Sequence, residues 1–336
     1  MHIHSLMLTA ATIMVPLQGH ADVHAHFSRA LAAMPAEIFQ SRETAAFVNL
    51  HALSLVFDTT DFTAAQARRA MAGLESTALQ AMAAADGKTF EAKAGFAPHE
   101  VEFFGFYGQR PQEGAIWGGP RDFPSGLASR LPASGFRPLD GAQDLFVNGP
   151  LGQFNPAAID LENPWIGPTG TASIVQITPT LVYQATSAPA LTRITAQPSA
   201  LDTPEGQAFA ALVPAGDSYL MQALLFSADF GRAVGEGGSG DTPVYEAGIL
   251  ADLQSPQGPI ALLALSYKTC DEAERALQVP WPQGATGQRR ELAETADRCL
   301  ALWRVTGGED RAENTAFTSA WEAMMMSDFT PVALPQ

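Results

Sequence analysis

The sequence predicts an α+β protein of two tandem ferredoxin-like (βαββαβ) repeats, with antiparallel sheets and helices packed on one face of each. Three observations lead there. A chain of 336 residues with 46% hydrophobic and 16% charged content is long enough for about two domains, each with its own core. Within residues 22–148 the hydrophobic periodicity runs in the order β-α-β-β-α-β. Elements of the same kinds recur over 172–336, beyond a Gly- and Pro-rich connector at 149–171, although the halves share no visible sequence identity.

The first half begins with a polar, helix-permissive stretch and a strand over 44–50. Residues 63–85 form one amphipathic helix, or two joined at Gly73, with Asp61 as N-cap, Gly87 as the stop, and Met71, Leu74, Ala78, Leu79 and Met82 turned to the core. Alternating aromatics over 101–107, the turn Gln109-Arg110-Pro111-Gln112 and the run 114–117 make a hairpin. A helix from Asp122 to about Ser134 ends at Gly135, and 144–148 is a strand.

In the second half, 172–177 and 180–184 are strands around Pro179, followed by helices near 188–196 and 204–213. Strands over 218–226, 247–253 and 260–267 lead into a helix at 271–277 with acids in its first turn. A helix over 288–298, a strand over 300–305 and a terminal helix near 314–326 complete the chain. In that last helix Phe317, Trp321, Met324 and Met325 share a face, which reads as core packing ahead of Cu(I) ligation by thioethers.

Residues 1–21 carry the apolar run and small-residue cleavage pattern of a secretory signal peptide, without a basic n-region. The expected location is therefore periplasmic or secreted. No later apolar run approaches the roughly 20 residues of a membrane span. The formal charge of −16 remains with the residues beyond the leader and argues against nucleic acid as a partner. In an oxidising compartment the two cysteines, Cys270 and Cys299, form one bridge.

Complete catalytic constellations are missing: the sequence has no Ser elbow, metalloprotease helix, P-loop or EF-hand loop. Gly235 to Gly240 matches G-x-G-x-x-G, but no helix follows to hold a pyrophosphate, so the segment reads as an inter-strand loop. His51 and His99 lie at element ends that could meet in space. The connector is too rich in apolar side chains for a floppy linker and is placed across a domain junction, with Phe154, Asp160, Glu162 and Trp165 as candidate ligand contacts.

Cleavage after Ala21 would leave Asp22-Val23-His24 at the amino terminus, where an amine, two amides and an imidazole suit Cu(II) or Ni(II), with His26 as a further ligand. These three residues resemble the amino-terminal copper and nickel site of serum albumins. The leading functional expectation is an exported, non-catalytic binding or assembly module. A hydrolase with an acidic site at the domain junction is the alternative, and copper or nickel handling at the amino terminus a weaker one.

Overall fold

The computed structural model describes residues 18–72, 76–109, 112–213, 218–234, 243–281, 287–326 and 328–334. Most of the predicted signal peptide and the whole Gly235–Gly240 segment lie outside the described residues. The chain opens with helix α1 (Gln18–Ala33), strand β1 (Ala45–Val48) and helices α2 (Leu50–Phe57), α3 (Ala64–Ala70), α4 (Thr77–Ala84) and α5 (Gly87–Ala94). The hairpin β2 (Phe103–Tyr107) and β3 (Gly114–Gly118) leads to α6 (Phe123–Arg130) and a second hairpin, β4 (Arg137–Leu139) and β5 (Ala142–Val147). Beyond the connector come β6 (Ile174–Ile177), β7 (Leu181–Ala185), α7 (Ala188–Ile194), α8 (Pro204–Leu212), β8 (Tyr219–Ser227) and α9 (Ala228–Val234). The chain finishes with β9 (Ala247–Ser255), β10 (Gly258–Tyr267), α10 (Cys270–Ala276), β11 (Arg289–Glu294), β12 (Cys299–Thr306) and α11 (Thr315–Met325).

The two-repeat expectation is overturned by the strand order. One 12-stranded sheet runs β11-β12-β10-β9-β8-β1-β2-β3-β7-β6-β5-β4. Its strand pairings are antiparallel, and β1 lies between β2 and β8, so Phe47 faces Gly105 on one side and Ala223 on the other. A ferredoxin-like unit would instead need crossovers that set strands parallel within each half. The protein remains α+β in content, built from hairpins that share one sheet.

Helices cover both faces of that sheet, not one. Alternate residues of each strand enter opposite cores, as the two-residue side-chain period requires. Ala46, Val48, Phe104, Trp117, Leu250 and Leu263 belong to the first core, which α2 to α6, α10 and α11 cover. Phe47, Phe103, Ile116, Ile249 and Leu262 belong to the second, under α1, α7 and α8. Double burial explains why β8 and β10 read as nearly unbroken apolar runs.

Local differences have local causes. Thr63 caps α3 through a reciprocal box with Gln66, so Asp61 is not the cap. Gly87 starts α5 because the Asp86 side chain accepts from Thr89 N. Residues 289–294 form edge strand β11, where a helix was expected, since pairing with β12 outweighs the helix-favouring Arg, Glu, Leu and Ala side chains. Its exposed Arg289, Arg290, Glu291 and Glu294 also discourage pairing with another chain.

The Cys270–Cys299 disulfide joins the start of α10 to the start of β12, with Cα atoms 5.0 Å apart. Closing a loop of this length contributes on the order of 3–4 kcal/mol in the chain-entropy model. Replacing both cysteines with Ala should lower the unfolding free energy by about that amount in urea titrations, and reductant should then have no further effect.

Candidate functional site

A buried ion pair sets the geometry of the first face. Arg69, near the end of α3, donates from Nε and Nη2 to Asp252 of β9 at 2.8 and 2.6 Å, and from Nη1 to Gln254 at 2.6 Å and to the Arg311 carbonyl at 2.7 Å. Both charged side chains are wholly buried. Asn314 donates to the same Asp252 carboxylate at 2.7 Å while its Oδ1 accepts from Phe317 N, capping α11. Gln222 of β8 closes the network by donating to the Arg69 carbonyl. One carboxylate therefore fixes two helices, α3 and α11, against the sheet.

Between those helices lies a cavity of about 730 Å³. Its floor is a single row of the sheet: Ala46 of β1 stands opposite Phe106 of β2 and Leu224 of β8. The small Ala46 side chain leaves the row concave. Met71 and Ala72, just past α3, form one wall, and Trp321 and Met325 of α11 form the other. The inward face of α11 is Phe317, Ala320 and Met324, all nearly inaccessible, whereas Met325 is 54% exposed. Trp321 packs against the core as the sequence predicts and also lines the cavity, whereas Met325 lines it from an exposed position. The volume falls within the range of small-molecule sites, roughly 300–1,000 Å³.

A second, more polar cavity of about 700 Å³ brings His51 of α2 and His99 together on one lining with Asp58 and Glu102. Buried Asn49 joins α2 to α1: its Oδ1 caps α2 by accepting from Ala52 N, and its Nδ2 donates to the Val23 carbonyl of α1. His26 Nδ1 lies 3.3 Å from Asn49 Oδ1, and its Nε2 lies 3.4 Å from Glu102 Oε2. Arg29 donates to the same Glu102 oxygen at 2.7 Å. Burial alone would raise the Glu102 pKa, but the His26 and Arg29 side chains override it and hold the carboxyl at about 2. Ser54, the hydroxyl nearest in sequence, donates to the Leu50 carbonyl at 3.0 Å in the manner of a helical back-bond.

The connector residues are placed differently from a shared ligand site. Trp165 is buried, donating from Nε1 to the Ala94 carbonyl at 3.0 Å and packing between Phe96, Trp117 and Phe136. Asp160 and Glu162 accept from Lys93 at 2.7 and 2.8 Å, and these bonds raise the Lys93 pKa. Phe154 alone of the four lines the neighbouring cavity of about 210 Å³, and it is 67% exposed. Gly170, at φ +61°, lies where a Cβ would come within 1.9 Å of the Asn155 carbonyl oxygen, so the segment is tightly folded on itself. It packs on α5 and over β3 and β7.

The amino-terminal quartet lies within α1. Val23 and His26 are buried, and His24 stacks on Tyr219 at 6.2 Å between ring centroids. The side chain of Asp22 lies outside the described set. A square plane of amide nitrogens at Asp22-Val23-His24 would require the start of this helix to unwind. Among the described residues no group of three or more His, Cys, Asp or Glu side chains stands in metal-ligating proximity, and no helix is long and apolar enough to cross a membrane.

No protein-family model matches the chain, and no curated protein matches it. A solved structure, crystal form I of TP0453, aligns over 90% of this chain and 97% of its own at 10% identity, with a TM-score of 0.34. A likeness at that level carries no argument about fold or activity.

Two predictions follow from these contacts. Arg69→Met strands the buried Asp252 carboxylate and should cost about 3–5 kcal/mol in urea unfolding, whereas Arg69→Met with Asp252→Leu should recover much of that loss. Because the folded Glu102 pKa lies below its ordinary 4.5, its contribution is present above pH 4.5 and lost as pH falls towards 2. Glu102→Gln should accordingly cost about 2 kcal/mol at pH 7 after allowance for solvent screening, with the gap from wild type closing between pH 4.5 and 2.

Proposed function

We propose that this is an exported, non-catalytic binding protein that holds a small apolar molecule between α3 and α11. The observation that carries the reading is the 730 Å³ cavity walled by Met71, Phe106, Leu224, Phe230, Trp321 and Met325. Such a lining offers dispersion contacts and adaptable thioethers, but no activated nucleophile. The disulfide supports an oxidising compartment and hence export. The engagement of Asp160 and Glu162 by Lys93 favours binding over acid-base hydrolysis at the connector.

The test uses the neutral fluorescent probe N-phenyl-1-naphthylamine. It should bind saturably, one per chain, with a dissociation constant on the order of 1–10 μM and with energy transfer from tryptophan. Leu224→Trp, which fills the floor, and Met325→Arg, which charges an exposed wall position, should each weaken binding about tenfold or more. Circular dichroism melts should confirm that Met325→Arg remains folded. Lack of a saturable signal, or equal binding by both variants, overturns the reading.

A further inference from the structure

We infer that Met325 is an oxidation switch for this cavity: a neutral peroxide converts its thioether to the sulfoxide, and the polar wall that results releases the apolar occupant. The inference rests on the cavity reading above and adds its regulation. The run Met324-Met325-Met326 at the end of α11 places adjacent thioethers in different environments. Met324 is wholly buried in the first core, Met325 lines the cavity while 54% exposed, and Met326 is 79% exposed and outside the lining. Elsewhere Met34, Met82 and Met221 are at most 1% exposed, and Met71, on the opposite wall, is partly buried against the core. Among the described residues, Met325 is therefore the methionine that both stands exposed and lines the cavity.

Exposure governs the order of reaction, because the oxidant must reach the sulfur. Hydrogen peroxide is uncharged, so the net charge of −16 does not repel it as it would an anionic oxidant. The Met325 sulfur attacks one peroxide oxygen: an S–O bond forms as the O–O bond breaks, sulfur gives up two electrons, and the departing hydroxide takes the proton from the transferred oxygen and leaves as water. A polarizable apolar group becomes a strongly polar one. Asn314 and Trp321 tie α11 to the core, so the helix holds the sulfoxide at the wall. An apolar ligand seated against it would strip water from the sulfoxide oxygen without returning a hydrogen bond. Methionine sulfoxide reductases, drawing on thiols, reverse the step.

The experiment titrates N-phenyl-1-naphthylamine into protein treated with hydrogen peroxide and then catalase, while peptide mass spectrometry reads the added oxygen on each methionine. Met325 and Met326 should be oxidised well before Met34, Met82, Met221 and Met324. Oxidation should weaken probe binding by wild type about fivefold or more. Met326→Leu and Met71→Leu should keep that response and Met325→Leu should lose it, each variant being compared with its own untreated form. Met325→Gln, which places a polar amide at the same point, should weaken the probe without any oxidant. Saturating probe should also slow oxidation of Met325 relative to Met326, as linkage requires. A change of less than about twofold once Met325 carries the sulfoxide overturns the inference while leaving the cavity reading in place. So does a response that survives Met325→Leu, or oxidation of the buried methionines as fast as Met325. If the untreated protein does not bind the probe, the cavity reading fails and takes this inference with it.

Discussion

The contact between Arg69 and Asp252 constrains more of this molecule than any other single interaction described. A fully buried guanidinium is tolerable only when its donors are satisfied, and here a bidentate carboxylate, a side-chain amide and a carbonyl satisfy them. The carboxylate in turn holds Asn314. Residues 183 positions apart in the chain are thereby locked in one geometry, and the helices that carry or follow them cannot slide over the sheet without exposing an unpaired charge to an apolar interior. Such a network holds α3 and α11 apart as firmly as it holds them down. The space between them is a product of that spacing, since neither helix can collapse onto the other.

The two faces of the sheet divide the labour. The second face is closed by α1, α7 and α8 over the Phe47, Phe103 and Ile249 rows, and acts as a foundation. The first face carries both large cavities, one at the end occupied by α2 and one between α3 and α11. Its aromatic cluster around Trp117 and Trp165 anchors the connector, leaving Phe154 at the surface. Both cavities lie where several short helices tile a broad sheet.

Much of this was legible in the sequence, and what was not has a physical reason. The hairpin of β2 and β3 could be read because the aromatic run Phe103–Tyr107 and the short apolar run 114–117 flank a Pro-bearing turn. The disulfide could be read because the chain offers only two cysteines. Periodicity identifies a strand but not its neighbour, so nothing in Ala45–Val48 indicates that it pairs with residues near position 224. The continuous apolar runs of β8 and β10 did carry a signal of burial on both sides, which argues against helices on one face only. The charged run at 289–294 has helical composition and becomes a strand through its pairing with β12. At the candidate site, Trp321 and Met325 are chemically indistinguishable in sequence from Phe317 and Met324. What sets them apart is position: Trp321 packs against the core from the rim of the cavity and Met325 stands exposed beside it, a property of tertiary structure.

Strand β1 has four residues, yet it alone joins the sheet's two wings: one grows from the β2–β3 hairpin, the other from β8 and its partners. Pairing Phe47 with Ala223 closes a very long chain loop, a slow entropic step that local hairpins do not face. Each wing has hairpins able to form early, whereas the row Ala46, Phe106 and Leu224 exists only once the wings are stitched together. The floor of the cavity is therefore a seam between the two wings. A partly assembled chain would lack its shape, because Ala46, Phe106 and Leu224 come side by side only when β1 pairs with both β2 and β8.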